Sequence, residues 1–217
     1  MIVWIDLETT GFNTYSGEVH GARHNLILSM GIVVTDENLN FLHEGKEIFI
    51  KHSDELLQER LTDWAREHHS KSGLLDNCSS MGVSMAIAEQ EVIKYLESLN
   101  VEKFNLKTKK GAVIAGNNIQ FDRSFINAQM KELDRWFHYR MLDVSALAMA
   151  ARFWQPDVEK AVEKQYLHTA LEDIKESIQE ARFYKHALFS LNHSDAEVAI
   201  SLAQTHLTLD HARQLAS

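Results

Sequence analysis

Apolar and polar positions along the chain alternate between two periods, and the changes of period mark the elements. Met1 to Asp6 is a near-continuous apolar run and predicts a strand, followed by a loop rich in Gly, Asn and Ser from Gly11 to Asn25. Leu26 to Thr35 predicts a second strand, Asp36 to Asn40 a hairpin turn, and Phe41 to Lys51 a third strand, so the first three are expected to be antiparallel. From Asp54 the spacing becomes helical, with Leu57, Leu61 and Trp64 on one buried face, and Met85 to Leu99 carries another helical stripe. Ala112 to Gly116 predicts a short buried strand feeding a helix from Asn118 to about Leu133. Arg140 to Asp143 predicts a last short strand before a helix at Val144 to Phe153, with Pro156 in a loop. Thr169 to Leu188 places Ile174, Ile178 and Ala181 on one apolar helical face. Ser194-Asp-Ala-Glu197 is a capping-box signature opening a final amphipathic helix through about Gln214. Strands first, then helices alternating with short strands, predict an α/β protein with a mixed sheet.

Composition narrows the class. With 217 residues, 45% of them hydrophobic, the chain is long enough for one well-buried domain. Its single cysteine, Cys78, excludes an intramolecular disulfide and a thiolate metal cluster, and fits a reducing cytoplasm. No stretch approaches the length of a membrane span, and no basic leader precedes Asp6, so a cytoplasmic location is expected. A net charge of −9 argues against a long electrostatic track for DNA or RNA. It leaves room for a few nucleotides held in a pocket where metal ions supply the positive charge.

Against that background the acids carry the chemistry. Asp6 and Glu8 sit two apart in the first strand and so share a face; the arrangement suits a hard divalent cation, or else a solvated strand face. Asp122, in Gly116-Asn-Asn-Ile-Gln-Phe-Asp-Arg-Ser-Phe125, lies just inside the helix after the fourth strand, where it can join a site beyond the strand ends or simply complement the helix dipole. Phe121 and Phe125 read as core. His168 and Asp173 are five residues apart, about 500° around a helix, so both reach one site only if His168 precedes the helix. A loop histidine beside metal carboxylates suits general base work; both residues are equally at home on a surface.

In this order and setting the residues resemble the histidine-containing branch of the DEDD exonucleases (DEDDh), and the flanking segments resemble the oligoribonuclease family over roughly residues 1 to 188. The matching segments are Trp4 to Gly11, Val34 to Asp36, Trp64 with His68 to Leu74, Gly116-Asn117 with Asp122-Arg123, His138 to Arg140, Asp143 to Ser145, and His168 to Asp173 with Glu176 to Ile178. The resemblance implies an RNase H-like five-stranded sheet over 1–188; the segment 189–217 has no counterpart in it and reads as a helical extension, a packing or dimer helix, expected on the same domain. It implies a 3'-to-5' exonuclease that cuts very short RNA to nucleoside 5'-monophosphates. Asp6, Glu8, Asp122 and Asp173 would hold two divalent ions, Mg2+ or Mn2+, and His168 would activate water. It also implies that Trp64 stacks on a base, unless it is a core helix anchor, and that His68, ahead of His69, contacts the terminal sugar or phosphate. By the same resemblance the protein is a homodimer in which Tyr139 and Arg140 reach the partner's substrate, and Arg140 with Ser145 grips the 5' phosphate.

The chain departs from that pattern at Thr9, where the family carries Met, at Asn118, where it carries Ser, and at Leu147, where it carries Thr. The last two thin the 5'-phosphate grip and leave room for longer single-stranded RNA or DNA, as trimmed by proofreading and RNA-maturation relatives. Phe12 occupies the place of a leucine that wedges against bases, beside a long 11–25 loop that bears on entry. A binding module without catalysis is the third reading, and retention of the acids and His168 argues against it.

Overall fold

The computed structural model of the chain describes residues 1–16, 19–159 and 169–189. The strands are β1 (Ile2–Thr9), β2 (Tyr15–Ser16), β3 (Val19–His20), β4 (Ile27–Thr35), β5 (Lys46–Phe49), β6 (Val113–Gly116) and β7 (Met141–Asp143). The helices are α1 (Gly21–His24), α2 (Asp54–Arg60), α3 (Asp63–Lys71), α4 (Leu74–Met81), α5 (Met85–Ser98), α6 (Gln120–Gln129), α7 (Lys131–Asp134), α8 (Val144–Trp154), α9 (Pro156–Glu159) and α10 (Ala170–Phe189). Among the described residues the main sheet has five strands in the order β5-β4-β1-β6-β7, with a separate β2-β3 hairpin. β5, β4 and β1 run antiparallel, and β1, β6 and β7 run parallel, so the sheet is mixed as expected.

Alternation along β1 separates two faces. Val3, Ile5 and Leu7 join Met30, Ile32, Val34, Ile48 and Ile50 in a core closed by Ala88, Val92 and Leu96 of α5 and by Phe125 and Ile126 of α6. Trp4, Asp6 and Glu8 face the other way, and in register with them stand Val33, Gly31 and Ser29 of β4. On that face α10 comes down onto the sheet at Gly31. A Cβ there would lie 2.9 Å from the backbone and Cβ of Ala170 and 3.0 Å from Ile174 Cδ1, so glycine permits the approach that brings the first turn of α10 to the strands.

Several expected boundaries shift, each for a local reason. β1 runs through Asp6 to Thr9, because pairing with β4 continues to Ile27 across a register irregularity at Glu8/Thr9. The third strand shrinks to Lys46–Phe49; Phe41 makes only an isolated bridge to Thr35, and Gly45 has φ +96°. The helical pattern after Asp54 is three helices. Leu61 is the C-cap of α2, Thr62 accepts from the Ala65 N–H to start α3, and Trp64 is exposed rather than part of a buried stripe. The helix after the fourth strand begins at Gln120 and breaks at Met130, whose φ of −130° is not helical. Pro156 opens the short α9 instead of lying in a loop, a first-turn position that suits a residue without an N–H. The long loop folds into β2, β3 and α1, with Gly21 N–H donating to Thr14 O at 2.9 Å. Phe125 is fully buried, and Phe121, partly buried, packs against the same core.

Residues Met1–Arg182 form one compact unit, and the boundary with a second falls between Arg182 and Phe183, within α10. The predicted extension, with its capping box at Ser194 to Glu197, lies outside the described residues. Among the described residues no helix is long and apolar enough to cross a membrane.

Candidate metal centre and nucleotide-facing surface

Three elements converge on one patch of carboxylates. Asp6 and Glu8 project from β1, and Asp173, in the first turn of α10, meets them where Gly31 lets the helix descend; their ligand oxygens all lie within 4.8 Å of one another. Asp122, in the first turn of α6 and almost fully buried, comes from beyond the end of β6. Its Oδ1 accepts from the Leu7 N–H at 2.9 Å, fixing it against the strand segment between the other two acids.

The electrostatics follow from burial and crowding. Burial, then the charges of Asp122, Glu8, Asp173 and Glu47, hold the Asp6 carboxyl well above its usual range. Glu8 is pushed up to about 7 by burial, with Asp173 and Glu47 adding to it. Asp122 rises to about 8, chiefly through burial, against the lowering effect of the Leu7 N–H. Carboxylates so disposed are costly to ionise together without a cation, and hard oxygen donors on three elements fit a divalent ion. His168 lies outside the described residues.

Beside the acids, α3 is docked on the end of β1, with Thr62 N–H donating to Thr10 O at 3.0 Å. Its two adjacent histidines, with rings 5.6 Å apart, differ in burial. His69 is buried, with Nε2 3.0 Å from the Thr9 carbonyl. A carbonyl only accepts, so Nε2 carries the proton and Nδ1 presents a lone pair 3.8 Å from Glu8 Oε2. Burial above all holds the His69 ring below its ordinary pKa, so it is neutral there. His68 turns outward and stacks on Trp64 with ring centroids 4.9 Å apart and planes 7° from parallel, as residues one helical turn apart can. Phe12 stands 6.1 Å from Trp64, and both are exposed, 61% and 60%. Trp64 is therefore no core anchor; with Phe12 it forms an aromatic surface next to the carboxylates.

The predicted phosphate-contacting residues divide into two groups. Tyr139 and Arg140 are exposed; the guanidinium lies 5.6 Å from the Tyr139 ring, which also stacks on His138 at 4.3 Å and meets Phe104 edge-on at 6.0 Å. Exposed Asn118 and half-buried Ser145 are joined in a hydrogen-bond network through the Asn118 backbone. Asn118, at φ +51°, donates its N–H to Asp143 Oδ1 and Ser145 Oγ, and the Ser145 hydroxyl donates to Asn117 Oδ1 at 3.2 Å. Asn117 Nδ2 donates in turn to Ser177 Oγ and Glu180 Oε2, both at 2.9 Å, tying the end of β6 to α10. Glu180 and Glu47 carried no signal in the sequence, and Ser177 carried one only within the matched segment Glu176 to Ile178. Asn117 did so only as part of a motif, and a helix surface pattern gives no warning of a buried glutamate.

Over residues 3–181 the chain matches a family model described as Exonuclease, RNase_T. It is 41% identical over 184 residues to an oligoribonuclease of Pseudomonas fluorescens, an alignment that covers 85% of this chain and 93% of the relative. Among solved structures it is similar to an Exonuclease I from Methylocaldum szegediense, with a TM-score of 0.61 and 18% identity over 87% of this chain. It is also similar to a structure described as the zinc ion bound form of an E. coli ExoI-ssDNA complex, with a TM-score of 0.55 and 15% identity over 87% of this chain. The chain spans 41% of the length of each of these two structures, and the likeness establishes the RNase H-like exonuclease fold.

Proposed function

This chain belongs to the exonuclease family and, within it, to the oligoribonucleases, and from that premise we infer that it hydrolyses short oligoribonucleotides from the 3' end to nucleoside 5'-monophosphates. The observation that carries the reading is the convergence of Asp6, Glu8 and Asp173 within 4.8 Å, with Asp122 pinned beside them by Leu7.

In this reading Asp6, Glu8, Asp122 and Asp173 hold two divalent ions, Mg2+ or Mn2+. When bound, such ions neutralise the phosphodiester and stabilise the charge that develops on the attacking and leaving oxygens. His168 takes the proton from the attacking water, a role that suits an imidazole titrating near neutrality. Trp64 and Phe12 stack the terminal bases, which orients the scissile phosphate and is tolerant of sequence because every base has a π face. His68 backs Trp64 and meets the terminal sugar or phosphate. Tyr139 and Arg140 extend from one protomer of a homodimer to the 5' side of the partner's substrate, and Arg140 with Ser145 grips the 5' phosphate. The enzyme works in the cytoplasm.

One observation favours a relaxed length limit as a second reading. The Ser145 hydroxyl has a single proton, already donated to Asn117, and the Asn118 N–H is already accepted by Asp143 and Ser145. A phosphate that takes either of these two protons must displace one of those bonds, which leaves the grip to side chains such as Arg140 and loosens closure of the 5' side to longer single-stranded RNA or DNA. Following 5'-labelled RNAs and DNAs of two to twenty nucleotides with Mn2+ or Mg2+ separates the two. Faster turnover of dinucleotides than of twenty-mers is expected; equal rates overturn the dinucleotide reading while leaving the exonuclease assignment in place.

A further inference from the structure

A fifth carboxylate belongs to the same face of the sheet. Gly31 of β4 pairs with Asp6 on one side and with Glu47 of β5 on the other, so Asp6, Gly31 and Glu47 form one row across three strands. Residues in such a row share a face, and the middle one has no side chain to stand between the two acids. One pair further along, Ser29 lies opposite Glu8, and its hydroxyl donates to Glu47 Oε1 at 3.3 Å. Glu47 is thus drawn toward the Glu8 end of the site. The two glutamates line one cavity of about 50 Å³, whose other polar walls are Ser72, Asn77 and Thr169. That volume holds water, and its lining offers the several polar partners that an ordered water needs. The neighbouring cation is turned away: Lys46 reaches Glu91 at 2.8 Å. Among the described residues, no Lys, Arg or His pairs with Glu47.

We propose that Glu47 is the outer carboxylate of the divalent-ion site, not a direct ligand but a group that holds water of the ion's shell in the cavity beside Glu8 and raises the ion's affinity through its charge. The inference rests on the metal-dependent reading above. Its place two strands out from β1 agrees with the ligand set, in which the oxygens of Asp6, Glu8 and Asp173 meet and that of Glu47 does not. Carboxylates behind the ligands commonly orient the inner shell and tune affinity.

The test measures ion binding directly. Mn2+ is titrated into ion-free protein by calorimetry for the wild type, Glu47→Gln and Asp6→Asn, with the free ion followed by electron paramagnetic resonance. Glu47→Gln keeps the shape and an oxygen for Ser29 while removing the charge. Its Mn2+ affinity is expected to fall about tenfold, the effect of removing one solvent-screened charge held a water layer away from a divalent ion. The Mn2+ dependence of activity should shift in parallel, with turnover regained at saturating ion. Should Glu47→Gln fold poorly, Glu47→Thr supplies a second neutral variant suited to a strand. A Glu47→Gln affinity within twofold of wild type, while Asp6→Asn loses binding, overturns the proposal alone. If Asp6→Asn binds Mn2+ as the wild type does, the metal-site reading itself fails.

Discussion

A carboxylate on the inner face of a sheet is a conflict that a single residue cannot resolve. Glu8 at about 7 and Asp122 at about 8 are held toward their neutral forms, first by burial and then by neighbouring charge, so each change at this face acts on all the acids. Asp6→Asn removes one charge without changing shape. Activity is expected to fall by at least about a thousandfold, as when a group that stabilises charge in the transition state is lost, while the ion-free melting temperature rises. Product chromatography and circular dichroism check the two halves; undiminished turnover would sink the role given to Asp6. Trp64→Ala is expected to raise KM about tenfold or more with little change in kcat, since stacking is worth roughly 1–3 kcal/mol per base; steady-state kinetics on a dinucleotide decide it. At this scale much of the site was legible. Asp6 and Glu8 share a face because a strand alternates, and that needs no tertiary knowledge. The different burial of His68 and His69 was not legible, because it depends on how α3 docks on the end of β1 at Thr10. Glu47 was hidden for a similar reason: only the register of β5 against β4 brings it into line with Asp6.

Elements deliver these residues, and their contacts set the tolerances. α10 bears Asp173 and is located at two points, at Gly31 by close approach and at Asn117 by the bonds to Ser177 and Glu180. Gly31→Ala places a Cβ 2.9 Å from the backbone of Ala170, which cannot swing aside as a flexible side chain would. Overpacking of this kind costs about 1–3 kcal/mol, and it moves the turn that carries Asp173. The expected result is a lower melting temperature together with weakened Mn2+ binding, measured by calorimetry on the folded fraction. Unchanged ion affinity in a destabilised variant would mean that α10 is held from Asn117 alone. The order of strands and helices was legible from periodicity, since the sheet needed only apolar runs of the right length between breakers. The breaks were not. α2 and α3 share one helical pattern in sequence, and it is the caps at Leu61 and Thr62 and the bond to Thr10 that divide it.

For the whole molecule, a net charge of −9 and a buried cluster of acids make stability a function of pH and of the ion. The sign follows from which state holds more protons. Glu8 ordinarily ionises at 4.5 and Asp122 at 3.8, but in the folded protein they ionise at about 7 and about 8. Between those values the folded state binds more protons than the unfolded one, so stability is full below the lower values and is lost as pH rises to about 8. His69 acts oppositely: its neutral form is favoured, and stability is lost as pH falls below its ordinary 6.5. Melting curves in EDTA from pH 6.5 to 8.5 therefore isolate the carboxylates, and the ion-free melting temperature is expected to fall across that range by about 5 °C. A divalent ion replaces the missing protons, so the stabilisation by saturating Mn2+ should grow over the same interval. An ion-free melting temperature that holds level or climbs from pH 6.5 to 8.5 would mean that Glu8 and Asp122 are already ionised at neutrality and that burial does not hold them toward their neutral forms.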